Sequence, residues 1–325
     1  MSPKHRKQKE EALAKCRQVM RLQHKAWTTE ESYISAIGSY ISWLCEWGHR
    51  WPDSRSRMEV YLTIQAERGI AASTQNVIFN ALLFFYQKVR GEKLEDIQAL
   101  RAHRPRRART SLPKEVTMKL LEGLPDVNAY PTQFIGYLLY GLGLRVTEPL
   151  NLRVKDVDVS GSRITVRDGK GGKDRTLRVP CALMGGIQEQ MKRARRVWEA
   201  DQRNGLPVQL PDRLDRKSKN AAFAWQWAFV FPAHRPCLHP RSGDIVRFRM
   251  HECNVQRAFQ ASAKVLGLEG VATPHVMRHC YATHVLEAGA SIRDVQEQLG
   301  HAHLDTTMIY AHGDGERVRS PLEVL

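Results

Sequence analysis

The chain has no C-x-x-C pair. Its six cysteines, Cys16, Cys45, Cys181, Cys237, Cys253 and Cys280, are scattered. That spacing excludes a zinc ribbon or a disulfide framework and leaves reduced, structural thiols. No run approaches the roughly 18 consecutive apolar residues of a membrane span. The opening MSPKHRKQKEE is charged from its start and lacks the apolar core of a secretory signal. No membrane partner is expected, and the expected location is the cytoplasm of a prokaryotic-type cell. Also missing are H-E-x-x-H, G-x-S-x-G and a Walker loop, so the chain offers no sign of a zincin, an esterase elbow or a nucleotide cofactor. Acidic residues are in short supply: 34 against 50 Lys and Arg, a formal net charge of +16. A charge of that sign and size favours a polyanionic partner, nucleic acid above all.

What is present suggests two domains in 325 residues, 42% of them hydrophobic. Residues 1–25 read as a basic extension with little fixed order. From Thr29 a helical period appears in Tyr33, Ile37, Tyr40, Ile41 and Leu44, broken by Gly48 and Pro52. Further patterns cover Met58 to Ala66 and then Ile78, Leu82, Phe85 and Val89, closed by Gly91. Residues 26–100 therefore read as a small helical domain. Over 101–111 the arginines Arg101, Arg104, Arg106, Arg107 and Arg109 crowd around Pro105, which suits a linker lying along phosphates. From 112 to 325 helices are expected at Lys114–Glu122, Gln133–Tyr140, Met184–Asp201, 252–266, 276–288 and 292–299. Ile164 and Val166, then Leu177 and Val179, alternate around DGKGGKD as a β-hairpin with a glycine-rich tip. The expected fold is mainly α with a small antiparallel sheet.

Three segments carry chemistry. GLGLRVTEPLNL holds Arg145 and Glu148. PHVMRHCYATHVLEAGASIRDVQEQLGH holds His275, Arg278, His279 and His301. LDTTMIYAH places Tyr310 nine residues after His301. A zinc reading of His275 and His279 suffers from Arg278 on nearly the same face, a fixed cation that would repel a metal. Two arginines, several histidines and a lysine suit one anionic phosphate instead: arginine presents a planar fork to phosphate oxygens. The hairpin tip could bring Lys170 or Lys173 to the same place as a proton donor. Tyr310 supplies a nucleophile; with a free pKa of about 10 it needs a base or an electropositive site to attack.

The order R-x-x-E, hairpin lysine, H-x-x-R-H, L-G-H and Tyr closely resembles the tyrosine recombinase (phage integrase) family over residues 26–312. The resemblance implies an N-terminal helical, SAM-like DNA-binding domain and a C-terminal catalytic α+β domain. It implies six active-site residues: Arg145, Lys170, His275, Arg278, His301 and Tyr310. Tyr310 would form a 3′-phosphotyrosyl link and release a 5′-hydroxyl. Lys170, with Lys173 the alternative, would be the general acid, helped by His275. Arg145, Arg278 and His301 would bind the non-bridging oxygens, with Glu148 and His279 supporting them. No cofactor is implied, and two duplexes with four sites imply a homotetramer on DNA. Cys280 departs from the family's usual Ser or Thr.

Residues 203–252 look like the added segment of integron integrases, and R-V-T-E-P-L, LDTTMIYAH and VRSPLEVL resemble that subfamily too; residues 313–325 read as a C-terminal tail. In that subfamily the insertion helps bind bases flipped out of a folded single strand. Trp225 and Trp227 could stack on such bases, though at i and i+2 of an extended segment both could equally be core. His239 is a further candidate contact. DIVRFRMHE, with Val246, Phe248 and Arg249, is less basic than the subfamily's pattern. Rival readings are a phage- or Xer-type recombinase acting on duplex sites, and an inactive architectural DNA-binding protein. The insertion argues against the first and the full set of six residues against the second.

Overall fold

Cys16 and Met20 lie one helical turn apart in a strongly basic segment, and both are fully buried. They belong to α1 (Pro3–Leu22), which begins with Ser2 accepting the His5 N–H and Pro3 in the first turn. The expectation of a loosely ordered extension over 1–25 therefore does not hold. An apolar stripe of Leu13, Cys16 and Met20 packs into the first core, while Lys9 and Arg21 at its edges reach Ser42 and Glu30 of the next helix. The computed structural model describes residues 2–102, 111–167, 174–211, 219–239 and 241–300. It divides into two compact units, Met1–Ala108 and Arg109–Leu325.

In the first unit α1 packs on α2 (Trp27–Trp47), followed by α3 (Ser54–Glu67) and α4 (Ala72–Phe84), which runs on as a π-helical turn over Phe85–Arg90. Ile37, Tyr40, Met58, Leu62 and Leu82 form the centre. Buried Tyr40 and Tyr86 share a hydroxyl hydrogen bond of 2.7 Å. Buried Glu30 is met by Arg21 at 3.0 Å. The chain after Gly91 returns across α3 and α4: the Leu100 N–H donates to Thr63 and the Ala102 N–H to Gln75. Arg101 lies over the Phe79 ring.

In the second unit α5 (Lys114–Glu122), α6 (Thr132–Leu142) and the short α7 (Thr147–Asn151) precede a three-stranded antiparallel sheet, β1 (Val157–Asp158), β2 (Arg163–Val166) and β3 (Arg175–Arg178). The β2–β3 register pairs Ile164 with Leu177 and puts both, with Val166, on the buried face. Then come α8 (Cys181–Arg203), a two-stranded hairpin of β4 (Cys237–Leu238) and β5 (Ile245–Val246), α9 (Cys253–Val265), α10 (Pro274–Glu287) and α11 (Ile292–Leu299). α6 is buried along most of its length, with contacts to α5, α8, α9 and α10. The molecule is mainly helical with small antiparallel sheets, as the sequence suggests. Among the described residues no helix is long and apolar enough to cross a membrane.

Parts of 203–252 are woven into this unit. The Val230 N–H donates to the Leu152 carbonyl and the Met250 N–H to that of Phe231. Val230, Phe231 and Met250 join the main core. Arg247 reaches Asp201 at the end of α8 at 2.5 and 2.7 Å, with both side chains buried.

Candidate active site

Gly143 ends α6 in the left-handed region, φ +62°, and a Cβ there would stand 2.6 Å from the Tyr281 ring and 2.7 Å from Leu299. Glycine alone satisfies both demands. The turn it makes delivers Arg145 and, at the start of α7, Glu148. The Arg145 backbone N–H and Nη1 both donate to the Glu148 carboxylate at 2.8 Å. Burial would push the Glu148 pKa up, but the Arg175 guanidinium, the Arg145 N–H and the nearby Arg278 hold it below the ordinary carboxylate value.

Arg278, on α10, is 3% exposed. Its Nη1 donates to the Gly143 carbonyl at 2.8 Å and its Nη2 to that of Leu299 at 2.5 Å. Two helix C-terminal carbonyls thus fix the fork beside the turn that carries Arg145. His275 is exposed in the first turn of α10, and buried His279 lies one turn on; their rings meet edge to face at 4.8 Å. Cys280, also buried, accepts the Leu112 N–H at 3.3 Å, so the thiol takes over an acceptor role that a hydroxyl could fill. Lys170, Lys173, His301 and Tyr310 lie outside the described residues, as do Arg104, Arg106 and Arg107 of the linker reading. What is described of their setting is the hairpin mouth, where Arg167 pairs with Asp156 at 2.6 Å and with Asp174 at 3.0 Å, and Gly300, with φ +63°, at the end of α11.

The sequence reading missed Arg175. It lies two residues before Leu177 and opposite Val166, on the same face of the sheet, and binds Glu148 through both oxygens. The extended segment expected around the two tryptophans is instead a 3₁₀ turn, Trp225–Trp227, so the rings do not share a strand face. Both are half-buried. Trp225 packs on Trp198 at 5.6 Å under Arg195. Trp227 carries the Lys155 ammonium 3.4 Å above its ring and lines a cavity of about 250 Å³ with Arg153, Arg167, Phe229 and Phe248. Glu148 borders the same cavity. His239, at the far end of the β4–β5 hairpin, accepts the Ser242 N–H through Nδ1 at 3.2 Å. Leu238 and Ile245 beside it are exposed.

Residues 111–317 match the phage integrase family and residues 13–96 match its N-terminal SAM-like domain. The chain belongs to the phage integrase family. This tyrosine recombinase is 39% identical over 321 residues to an integrase/recombinase of Escherichia coli, covering 96% of this chain and 93% of that one. It is 29% identical over 314 residues to tyrosine recombinase XerA of Pyrococcus furiosus, covering 96% and 93%. Among solved structures it resembles the Tn1549 transposon integrase in complex with circular intermediate DNA, with a TM-score of 0.59 and 19% identity over 93% of this chain and 95% of that one. The recombinase is an enzyme that cleaves and rejoins DNA strands at specific sites, and DNA is its partner.

Proposed function

We propose that this recombinase is an integron-type integrase that exchanges strands between a double-stranded site and a folded single-stranded hairpin site. Tyr310 gives up its phenolic proton to a base or to water, attacks the scissile phosphodiester, forms the 3′-phosphotyrosyl link and expels the 5′-oxygen, which Lys170 protonates with His275 assisting; Lys173 is the alternative acid. Arg145, Arg278 and His301 bind the non-bridging oxygens, with Glu148 and His279 behind them. The buried, doubly anchored fork of Arg278 supports this reading, because a donor fixed before the reaction needs no reorganisation as charge develops. One phosphodiester is exchanged for another, so the reaction needs no energy source. Two recombining sites, each engaged by two active sites, make a homotetramer on DNA, at the nucleoid of the bacterial cytoplasm, with Arg104, Arg106 and Arg107 along the backbone.

The observation that carries the hairpin substrate is the insertion's Trp227, which lines a cavity bordered by Glu148 and Arg167. A base already unpaired avoids the few kcal/mol of extraction from a duplex, and stacking on an indole returns roughly 1–3 kcal/mol. Lys155 occupies one face of the Trp227 ring, so a base stacks on the other face or replaces the ammonium. Trp225, packed against Trp198, and His239 are weaker candidates for such a contact. Paired titrations at one fixed salt concentration test the reading. The enzyme binds a bulged hairpin more tightly than the perfect duplex, and Trp227→Ala weakens hairpin binding by about tenfold while leaving duplex binding nearly unchanged. Equal losses on both substrates make the tryptophan structural. A wild-type enzyme indifferent to the bulges returns the protein to the Xer-type reading, which the relative named XerA favours.

A further inference from the structure

Arg175 opens β3, two residues after Lys173, and its side chain is 11% exposed. Its guanidinium works in two directions. Nη1 and Nη2 donate to the two Glu148 oxygens at 3.0 and 2.6 Å, and Nε donates to the Gln298 carbonyl near the end of α11 at 2.8 Å. A Cβ on Gly300 would stand 3.4 Å from Arg175 Cδ and Nη1, so the glycine packs directly over this side chain. With Nε committed to a backbone carbonyl, the plane of the fork is fixed and both terminal nitrogens face Glu148. The same carboxylate holds the Arg145 N–H and Nη1. One buried acid is therefore shared by two arginines.

We infer that Arg175 is a positioning residue for strand cleavage, acting through Glu148 on Arg145. The inference rests on the reading of Arg145 as a phosphate ligand. The argument is one of charge and geometry. A carboxylate shared by two guanidiniums leaves one net positive charge on the Arg145–Glu148–Arg175 cluster, beside that of Arg278; without Arg175 the Glu148–Arg145 pair is neutral. In a site of low exposure that unshared carboxylate draws Arg145 inward and competes with the phosphate for it. Arg175 also supplies two of the four hydrogen bonds that orient Glu148.

The test is single-turnover cleavage of a nicked suicide substrate by the full-length enzyme at saturating concentration, with DNA affinity and thermal melting measured alongside. Arg175→Ala slows cleavage by about tenfold or more, as expected for a loosened preorganised donor. Arg175→Lys, which keeps the charge and loses the fork, recovers part of the rate. In a Glu148→Gln background the further change Arg175→Ala costs less than about threefold, because its route is already cut. A merely structural arginine gives the full loss again in that background, and this result overturns the inference. So does a wild-type rate for Arg175→Ala while Arg145→Ala is defective. Should Arg175→Ala not fold, Arg175→Lys alone and with Glu148→Gln decides by the same comparison. A wild-type rate for Arg145→Ala defeats the underlying reading of that residue instead.

Discussion

Arg278 carries a full charge at 3% exposure, and two backbone carbonyls from different helices bind its fork. A lysine there offers a single point of charge and cannot span both. Arg278→Lys and Arg278→Ala are each expected to cut cleavage at saturating enzyme by 10²-fold or more, about 3 kcal/mol of transition-state stabilisation. A near-wild-type rate for either, in a variant that melts normally, removes Arg278 from the chemistry. His284, on the same helix, is a different kind of buried group. Its Nδ1 accepts the Tyr140 hydroxyl at 2.8 Å while Nε2–H donates to the Leu112 carbonyl at 2.9 Å. Burial pushes its pKa below the ordinary 6.5, despite the Leu112 carbonyl pulling the other way. The folded protein thus keeps a neutral ring at pH values where the unfolded chain takes up a proton. This group's contribution is complete above about pH 6.5 and is lost as the pH falls below it. Thermal melting between about pH 8 and pH 5.5 should fall less steeply for His284→Gln than for the wild type. Parallel profiles would assign the acid sensitivity to other groups.

The helices show where periodicity is enough and where it is not. α5 and α11 fall where their patterns put them, because apolar spacing, Ser291 as N-cap and Gly300 as C-terminal stop all agree. α1 was hidden because its stripe of Leu13, Cys16 and Met20 is narrow and its charge density dominates the reading. The 3₁₀ turn at Trp225–Trp227 has no periodic signature, and its shape follows from what it packs on: the Trp227 carbonyl accepts Arg153 Nη1 at 2.7 Å. Arg145, Glu148 and Arg278, singled out by the order of the motifs, do meet in the fold, since one short turn and one helix bring them together. Arg175 was not, because its partners are 27 residues back and 123 residues ahead in sequence. The anchoring of the insertion was equally invisible: Asp201 and Arg247 lie 46 residues apart. Breaking a buried ion pair by removing one partner costs about 3–5 kcal/mol. Asp201→Ala should therefore lower stability in denaturant melts by about 3 kcal/mol. A change under about 0.5 kcal/mol would mean that the pair does not hold 203–252 to α8.

The two units together carry the charge of +16 that fits a DNA partner, and the second carries Arg145 and Arg278, the pair proposed to bind the phosphate. Affinity and chemistry are separable in such a protein. Binding rests on many phosphate contacts, whereas covalent attack rests on one hydroxyl. The pattern that ends in Tyr310 contains no carboxylate cluster or zinc ligand set, so cleavage is expected to survive a chelator. A nicked suicide substrate lets the short strand carrying the free 5′-hydroxyl diffuse away and traps whatever covalent intermediate forms. The decisive measurement is this trap, run in EDTA with the wild type and Tyr310→Phe, and read on a denaturing gel and by mass spectrometry. The account predicts a covalent protein–DNA adduct linked through Tyr310 for the wild type, and for Tyr310→Phe no adduct with DNA affinity nearly intact. An adduct formed by Tyr310→Phe, or strand cleavage by the wild type with no covalent link, would contradict it.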